Sequence, residues 1–454
     1  MYSIKITMNK KDEFELLNSL FDELFPIMRS ITGPGIEKSM ALFQRHMPLE
    51  ISKTPSGSQV FDWTVPPEWH FKSAKILGPN NEIICDANEF NLHVLNYSVS
   101  IDKKMTLDEL LPHIYSDPKL PDAIPYVTSY YKKNWGFCIS ENQKNKLKKG
   151  IYSVKIEADF VDGGVPIAQC ILEGESKKEI LLTSYLCHPS LANNELSGPL
   201  VLLALYNRIK KWKRRRYTYR FLLNPETIGS ICFLYEHSRH LTENIKSGLI
   251  LTCLGGPSKK LNYKQSREGD FLIDKVVDYA KEIISMPIKT SVFTAIKGSD
   301  ERQFCSPGFN LPMGQFSRTK YGDYDGYHNS YDNKAFMGID NLTQSAKAIE
   351  EILKYVEVCD KPVNKVPFGE PQLGKRDLYP NINSKKNRKN SSDNVIDGRT
   401  ELNNRLILLN MSDGKNSLID IASACGCSVN DLIPTVELLE SKGLINYGEK
   451  LRIL

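Results

Sequence analysis

Three short and nearly continuous apolar runs lie in the middle of the chain, and polar, helix-like segments separate them. The runs are EILLTSYLC (Glu179–Cys187), YRFLLNP (Tyr219–Pro225) and SGLILTCLG (Ser247–Gly255). Continuous apolar runs of this length are typical of strands that are buried on both faces of a parallel sheet. Their alternation with helices predicts an α/β core with a mainly parallel sheet between helical layers.

A different pattern precedes these runs and predicts a separate β module. Residues 11–50 show the apolar spacing of two amphipathic helices around a Gly-Pro-Gly turn. From Ser58 to Ser98 the apolar segments are short and alternating, rich in aromatic and β-branched residues, and interrupted by Pro-Pro and Gly-Pro-Asn-Asn. The module is predicted to end near Leu147, and Gly150–Gly174 then has the pattern of a β-hairpin.

The C-terminal part of the chain predicts a linker followed by a small helical module. From Pro362 to about Asn394 the chain is rich in Pro, Asn and Lys without periodicity, which is typical of a linker. The following residues predict helix, tight Gly turn, helix and two short strands, the order of a winged helix-turn-helix. The predicted domains are a core of residues 1–53 and 148–361, a β-rich insert over 54–147, a linker over 362–394 and a winged helix over 395–454.

The composition indicates a soluble protein of the cytoplasm. Apolar residues make up 41% of the 454 residues and charged residues 25%, with a net charge of +5. No run approaches the ~20 apolar residues of a membrane span, and the N-terminal residues carry acids without the apolar centre of a signal peptide. The ten cysteines form no CxxC pair, which favours buried thiols in a reducing compartment. We therefore expect a cytoplasmic protein with no membrane contact.

The charge of the C-terminal module argues against DNA as its partner. Residues 417–454 contain five acids and three bases, which gives a net charge of −2. Binding to nucleic acid phosphates requires a basic surface instead. We expect this module to contact a protein partner or a second copy of the chain, and we do not expect it to bind nucleic acid.

The segment CHPSLANNELSG (residues 187–198) carries the first candidate chemistry, because it begins where an apolar run ends. Ligands of parallel sheets gather at the ends of the strands. His188 in this position is either a zinc ligand or a structural histidine. Glu195 and the two asparagines before it either take part in a ligand site or cap the helix that follows.

Three further segments carry candidate residues. Glu226 in NPETIGS follows the second apolar run, where it would serve as a general base or only as an acid at a helix N-terminus. The loop DGYHNSYDN contains His328 and Asp332, a spacing that suits a metal ligand and its orienting carboxylate. The turn KGSDERQF contains Asp300 and Arg302, which a surface turn would also explain.

Together these segments resemble a known protein family. The motifs FDWTVPPEW, NLHVLNYS, CHPSLANNELSGP, GSDERQF and YHNSYDN are similar to those of a bacterial family of aminopeptidase-like proteins associated with polysaccharide biosynthesis. The resemblance spans residues 10–360, with a winged helix after it. It implies the phosphorylase/hydrolase-like α/β core of the zinc aminopeptidases.

The resemblance assigns roles by position. It implies that His188 is the first metal histidine, that His328 is the last one, and that Glu226 is the catalytic glutamate. Asp300 matches an aspartate in a Ser-Asp turn near the site and is counted with the catalytic groups.

Three neutral residues depart from the aminopeptidase pattern. Asn194, Thr227 and Thr252 stand where the resembling enzymes have a bridging aspartate, a second glutamate and a further aspartate. Two closely spaced dications need that negative charge. The chain is therefore expected to bind a single Zn²⁺, with the ligands His188, Glu195 and His328 and with water as the fourth.

The resulting hypothesis is a zinc hydrolase that cleaves an amide bond in a peptide-like or aminoacylated small substrate. The residues expected to bind this substrate are Asn194, Arg302 and Tyr327. The implied context is cell-surface polysaccharide or glycoconjugate metabolism. The alternative is a catalytically inactive binding protein on an aminopeptidase scaffold, which would have no need for Glu226.

Overall fold

The computed structural model describes residues 10–379, 388–389, 395–396 and 398–447. These residues form two compact units. The larger unit contains the chain as far as Glu351 except for Asp278–Ala280, and the smaller unit contains those three residues and the chain from Ile352. Among the described residues, we find no helix that combines the length and the hydrophobicity of a membrane span.

The regular elements of the described residues are numbered in chain order. The helices are α1 Lys10–Leu24, α2 Pro34–Gln44, α3 Leu107–Leu110, α4 Glu141–Lys144, α5 Ser197–Ile209, α6 Ile228–Asn244, α7 Leu272–Ala280, α8 Glu301–Phe304, α9 Ile339–Val358, α10 Gly398–Met411, α11 Leu418–Cys425 and α12 Val429–Ser441. The strands are β1 Glu50–Pro55, β2 Gln59–Val60, β3 Trp63–Thr64, β4 Glu68–Leu77, β5 Ile83–Asp86, β6 Ile101–Thr106, β7 Ile114–Tyr115, β8 Phe137–Cys138, β9 Ile151–Val161, β10 Gly164–Leu172, β11 Ser176–Tyr185, β12 Tyr217–Asn224, β13 Ile245–Leu251, β14 Leu261–Lys264, β15 Ile288–Ser291, β16 Met313–Ser317, β17 Pro362–Asn364, β18 Arg388–Lys389, β19 Val395–Ile396 and β20 Ile445–Tyr447.

The larger unit is built on an eight-stranded sheet with the order β1-β10-β12-β11-β13-β16-β14-β15. The central strands β12, β11, β13 and β16 are mutually parallel, as the three apolar runs predict. Leu182 on β11 lies opposite Phe221 on β12 and Leu249 on β13, and all three side chains are fully buried. Burial on both faces explains why these strands are continuously apolar.

The β-rich segment forms its own antiparallel sheet, with the order β5-β4-β9-β6. The hairpin predicted over Gly150–Gly174 is wrong, because β9 pairs with β4 and β6 whereas β10 pairs with β1 and β12. The physical reason is visible in their burial: β9 alternates between buried and exposed positions, and most of β10 is buried on both faces. Since β9 begins after residue 147, the extent of the insert as a domain stays a prediction.

Close packing at Gly198 determines where α5 begins after β11. Residues Ala192–Leu196 form a π-helical turn that leads directly into α5. A Cβ atom on Gly198 would lie 2.2 Å from Ser184 Oγ and 2.3 Å from the Leu251 carbonyl oxygen. Only glycine allows α5 to begin so close to the ends of β11 and β13.

The smaller unit contains α10, α11 and α12 and the antiparallel pair β17 and β20. Ser417 and Ser428 cap α11 and α12, and Gly426 ends α11 in the left-handed conformation with φ 64°. The first residues of the predicted linker therefore form β17. Its later residues 380–387 and 390–394, and the second predicted strand after Tyr447, lie outside the described residues.

Candidate metal centre

The structure brings together three of the predicted site residues. His188 follows β11, Glu226 follows β12, and His328 comes from the loop before α9. His188 Nε2 lies 3.7 Å from Glu226 Oε2, and the centroids of the two imidazole rings are 5.4 Å apart. The carboxyl ends of parallel strands meet at one edge of the sheet, so two of the three positions follow from topology.

Glu195 lies on the other side of the His188 ring. Its Oε2 atom is 2.6 Å from His188 Nδ1, and its Oε1 atom accepts a hydrogen bond from the backbone N–H of Cys187. Both carboxylate oxygens are therefore engaged. Cys187, which the sequence pattern did not single out, joins His188 and Glu195 in a buried group whose potential ligand atoms lie within 4.8 Å of one another.

Asp332 holds the π-helical turn that carries Glu195. Its carboxylate accepts hydrogen bonds from the backbone N–H groups of Asn193 at 2.6 Å and Asn194 at 2.8 Å. Its side chain therefore supports this turn and not the His328 ring, to which the sequence pattern assigned it. Burial raises the pKa of Asp332 to about 6.

His328 is held by its backbone and by a stacked tyrosine. Its backbone has a φ of 59°, and its carbonyl oxygen accepts the Tyr126 N–H at 2.7 Å. The Tyr327 ring stacks on the imidazole at 3.9 Å, with 36% of that residue exposed. Burial and the nearby His188 lower the pKa of His328 to about 3, which keeps a lone pair available on the neutral ring.

Glu226 enters the site through a strained turn. The Ile228 N–H donates to the Glu226 carbonyl oxygen at 2.8 Å, which closes a γ-turn around Thr227. Thr227 has φ 63° and ψ −73°, an unfavourable conformation for a β-branched residue. The Ser299 hydroxyl donates to Glu226 Oε1 at 2.6 Å. Burial raises the pKa of Glu226, and the charge of His188 and the Ser299 hydrogen bond oppose that rise.

Asp300 supports this turn from behind. It is 1% exposed, and its Oδ1 atom accepts the Thr227 N–H at 2.7 Å. Its other oxygen is 3.4 Å from Asn224 Nδ2. Burial and the charge of Glu226 raise its pKa to about 7. These contacts favour a positioning role over the catalytic role that the resemblance implied.

A tyrosine joins two of the three neutral residues that depart from the aminopeptidase pattern. The Tyr185 hydroxyl donates to the Asn194 carbonyl oxygen at 2.8 Å and lies 2.6 Å from Thr252 Oγ1. Tyr185 also packs against His188, with ring centroids 5.6 Å apart. No sequence pattern indicated this role, because Tyr185 belongs to an apolar strand.

Arg29 is a second residue that the sequence pattern missed. Its guanidinium group is fully buried and donates to the His188 carbonyl oxygen from Nε at 3.2 Å and from Nη2 at 3.0 Å. Arg29 and Glu195 thus hold the two ends of His188, its backbone and its ring. A contact across 159 residues has no local sequence signal.

The donor groups of this site fit one metal ion. Burial alone would lower the pKa of His188, but Cys187, Tyr126 and Glu195 raise it well above its ordinary value, so the surroundings favour a positive charge. Two imidazoles with carboxylates nearby supply nitrogen and oxygen donors of the kinds that zinc binds. Asn194 Nδ2 is buried with no hydrogen-bond partner among the described residues, and turning that amide over would present its oxygen instead.

This chain is similar to proteins of known sequence. A family model described as Domain of unknown function (DUF4910) matches residues 18–359, and a winged helix-turn-helix model matches residues 360–447. A Clostridium acetobutylicum protein, named as a candidate polysaccharide biosynthesis protein with an aminopeptidase-like domain, is 43% identical over 445 residues. The match covers 96% of this chain and 98% of that protein.

Solved structures also show similarity to peptidases. A crystal structure of a candidate peptidase from Clostridium acetobutylicum is 40% identical and covers 96% of this chain and 97% of its own, with a TM-score of 0.81. A zinc aminopeptidase from Bacillus subtilis is 12% identical and covers 77% of this chain and 95% of its own, with a TM-score of 0.58. The predicted α/β class, aminopeptidase-like core and winged helix are confirmed. The chain therefore belongs to the DUF4910 family of aminopeptidase-like proteins.

Proposed function

We propose that this protein is a zinc-dependent hydrolase of amide bonds, with His188 and His328 as zinc ligands and Glu226 as general base. The observation that carries the proposal is the position of the Glu226 carboxylate, 3.7 Å from His188 Nε2. A pure binding scaffold has no need for an acid there. The zinc aminopeptidases that share the fold support the choice of metal.

Each side chain of the site has a separate task in this proposal. A bound zinc ion would polarise the amide carbonyl and make water more acidic. Glu226 accepts the proton of the attacking water, and burial raises its pKa in the direction that makes a carboxylate a stronger base. Ser299 and Asp300 fix the carboxylate and the turn that carries it. Asn194, Arg302 and Tyr327 bind the substrate.

Glu195 changes from the expected zinc ligand to an orienting partner in this proposal. Its hydrogen bond to His188 Nδ1 directs the other ring nitrogen toward Glu226. A carboxylate behind a metal-binding imidazole fixes its tautomer and raises its basicity. Its second oxygen, which is occupied by the Cys187 N–H, supports the same role.

The neutral residues support one zinc per chain. Asn194, Thr227 and Thr252 carry no charge, and the Tyr185 hydroxyl links the first and last of them. A second divalent ion beside the first would lack the negative charge that offsets their repulsion.

The proposed setting is polysaccharide or glycoconjugate metabolism inside the cytoplasm. The support is the name of the Clostridium acetobutylicum relative, which joins polysaccharide biosynthesis to an aminopeptidase-like domain. The substrate would be a peptide-like or aminoacylated small molecule, and the winged helix would recruit a protein partner or a second copy of the chain.

The test compares the parent protein with Glu226→Gln, and uses Glu243→Gln on α6 as a matched control at an exposed position. All three proteins are loaded with zinc and screened against aminoacyl amides, peptide amides and acylated amino sugars. Glu226→Gln should keep its zinc and lose turnover by about 10²–10⁴-fold, because an amide cannot accept the proton.

Two results would change the proposal. Loss of zinc from Glu226→Gln, but not from the control, would make Glu226 a metal ligand. If Glu226→Gln turned over the best substrate at the parent rate, the hydrolase mechanism would be wrong and a binding protein would be favoured.

A further inference from the structure

Arg302 places a guanidinium group beside the carboxylate that the proposed function makes the general base. Its Nε atom donates to the Ser299 carbonyl oxygen at 3.2 Å. The hydroxyl of the same Ser299 donates to Glu226 Oε1 at 2.6 Å. One small turn therefore holds a carboxylate and a guanidinium group, and the Arg302 charge acts on Glu226.

Most hydrogen-bond donors of the Arg302 guanidinium group have no partner among the described residues. Within the described residues, Arg302 forms one hydrogen bond, to the Ser299 carbonyl oxygen, and its guanidinium group pairs with no carboxylate. Of the five N–H donors of an arginine, the four on Nη1 and Nη2 are left for another molecule. Arg302 is also half-buried, so a partner there is partly shielded from water.

Two other cations near the site are satisfied within the protein. Lys264 Nζ lies 2.7 Å from Glu301 Oε1 and 2.7 Å from the Lys297 carbonyl oxygen. Arg29 donates to the carbonyl oxygens of His188 and Leu24. Arg302 therefore differs from these two cations.

The charge balance favours an anionic partner over a cationic one. Where acids are expected from the resemblance to aminopeptidases, this chain has Asn194, Thr227 and Thr252. These uncharged side chains offer a substrate ammonium group no ion pair, whereas the guanidinium group of Arg302 offers one to a substrate carboxylate. Because charges interact more strongly in a half-buried site than in bulk water, the Arg302 charge favours an anionic substrate group.

We propose that Arg302 binds a carboxylate of the substrate. The enzyme would then act on N-acylated amino acids, or on other molecules that carry a carboxylate close to the amide bond to be cleaved. This inference rests on the proposed function, because it names the substrate class of the same site. A guanidinium fork matches a carboxylate with two parallel hydrogen bonds. The substrate carboxylate then orients the neighbouring amide toward Glu226.

The experiment measures binding, so that it does not depend on turnover. The probes are N-acetylglycine and N-acetylglycinamide, which differ in having a carboxylate or a neutral amide. Their dissociation constants are measured by NMR titration against the zinc-loaded parent protein, Arg302→Gln and Arg302→Lys. Lys297→Gln is the matched control, because Lys297 is an exposed cation in the loop before α8, five residues from Arg302.

The parent should bind N-acetylglycine about tenfold more tightly than its amide. Arg302→Gln should lose this preference and bind the amide as the parent does, and Arg302→Lys should keep part of it. Binding of the carboxylate by zinc would survive in Arg302→Gln, so a preference that persists there overturns the inference. An equal loss in Lys297→Gln would also overturn it, since a general positive field would then be the cause.

The two proposals fail separately. If Glu226→Gln turns over substrates at the parent rate while the carboxylate preference depends on Arg302, the hydrolase is wrong and the anion site stands. If hydrolysis depends on Glu226 while both probes bind equally, the anion site is wrong and the hydrolase stands.

Discussion

The Glu195 carboxylate accepts a hydrogen bond from His188 Nδ1 at 2.6 Å, and its other oxygen accepts the N–H of Cys187. The carboxylate and the imidazole are both almost completely buried. This arrangement leaves Nε2 as the nitrogen that faces Glu226. The direction of one ring thus determines which atom is available to a metal.

The Glu195 contact predicts a graded effect of substitution on zinc affinity. Glu195→Gln keeps a hydrogen-bonding group behind His188 and should weaken zinc binding about 10–100-fold, as for other orienting carboxylates. The measurement is a zinc titration with a competing chelator. If Glu195→Gln lost zinc binding as completely as His188→Ala, Glu195 would instead be a direct ligand.

The two histidines predict the stoichiometry of the site. The purified protein should bind about one zinc per chain, and His188→Ala or His328→Ala should abolish that binding. Elemental analysis after dialysis gives the count, and His240→Ala, a histidine on α6 away from the site, is the control. Binding of two zinc ions per chain at micromolar concentration would contradict the single site.

The strained turn at Thr227 predicts an effect on stability. Both Thr227→Gly and Thr227→Ala remove the threonine side chain, but only glycine adopts a φ of 63° without strain. The free energy of unfolding of the Gly variant should exceed that of the Ala variant by about 1 kcal/mol. Urea denaturation measures the difference. An Ala variant of equal or higher stability would show that the turn relaxes without cost.

Asp332 predicts a pH dependence of stability. Its folded pKa of about 6 lies above the ordinary value of 3.8, so the folded protein binds the proton more tightly than the unfolded chain. The free energy of unfolding should therefore fall as the pH rises from about 4 to 6, by up to about 3 kcal/mol from this group.

The test for Asp332 compares variants across that pH range. Asp332→Asn should show a smaller slope of unfolding free energy against pH than the parent, because it has no proton to lose. Asp323→Asn, at an exposed position in the same loop, should keep the parent slope. Equal slopes in all three proteins would contradict the assigned pKa.

The charge of the winged helix predicts that this protein does not shift random duplex DNA in a gel at ~0.15 M salt. The reason is the excess of acids over bases in residues 417–454. A shift that disappears when these residues are removed would contradict this and would make the module a DNA reader.

The sequence by itself determined the class of the core and the positions where chemistry is concentrated. Strands buried on both faces must be apolar throughout, so the runs that became β11, β12 and β13 were visible in the sequence. A parallel arrangement places their ends together, which brought His188 and Glu226 to one edge. The alternating burial of β9 was equally visible, but its pairing partners were not.

Only the tertiary structure decided what each of these residues contacts. Glu195 was a ligand candidate by its spacing, and its position behind the His188 ring comes from a π-helical turn whose N–H groups bind Asp332, 138 residues away. Arg29 reaches His188 across 159 residues, and Asp300 reaches Thr227 across 73. Such contacts depend on how distant segments pack, and no local pattern of residues encodes them.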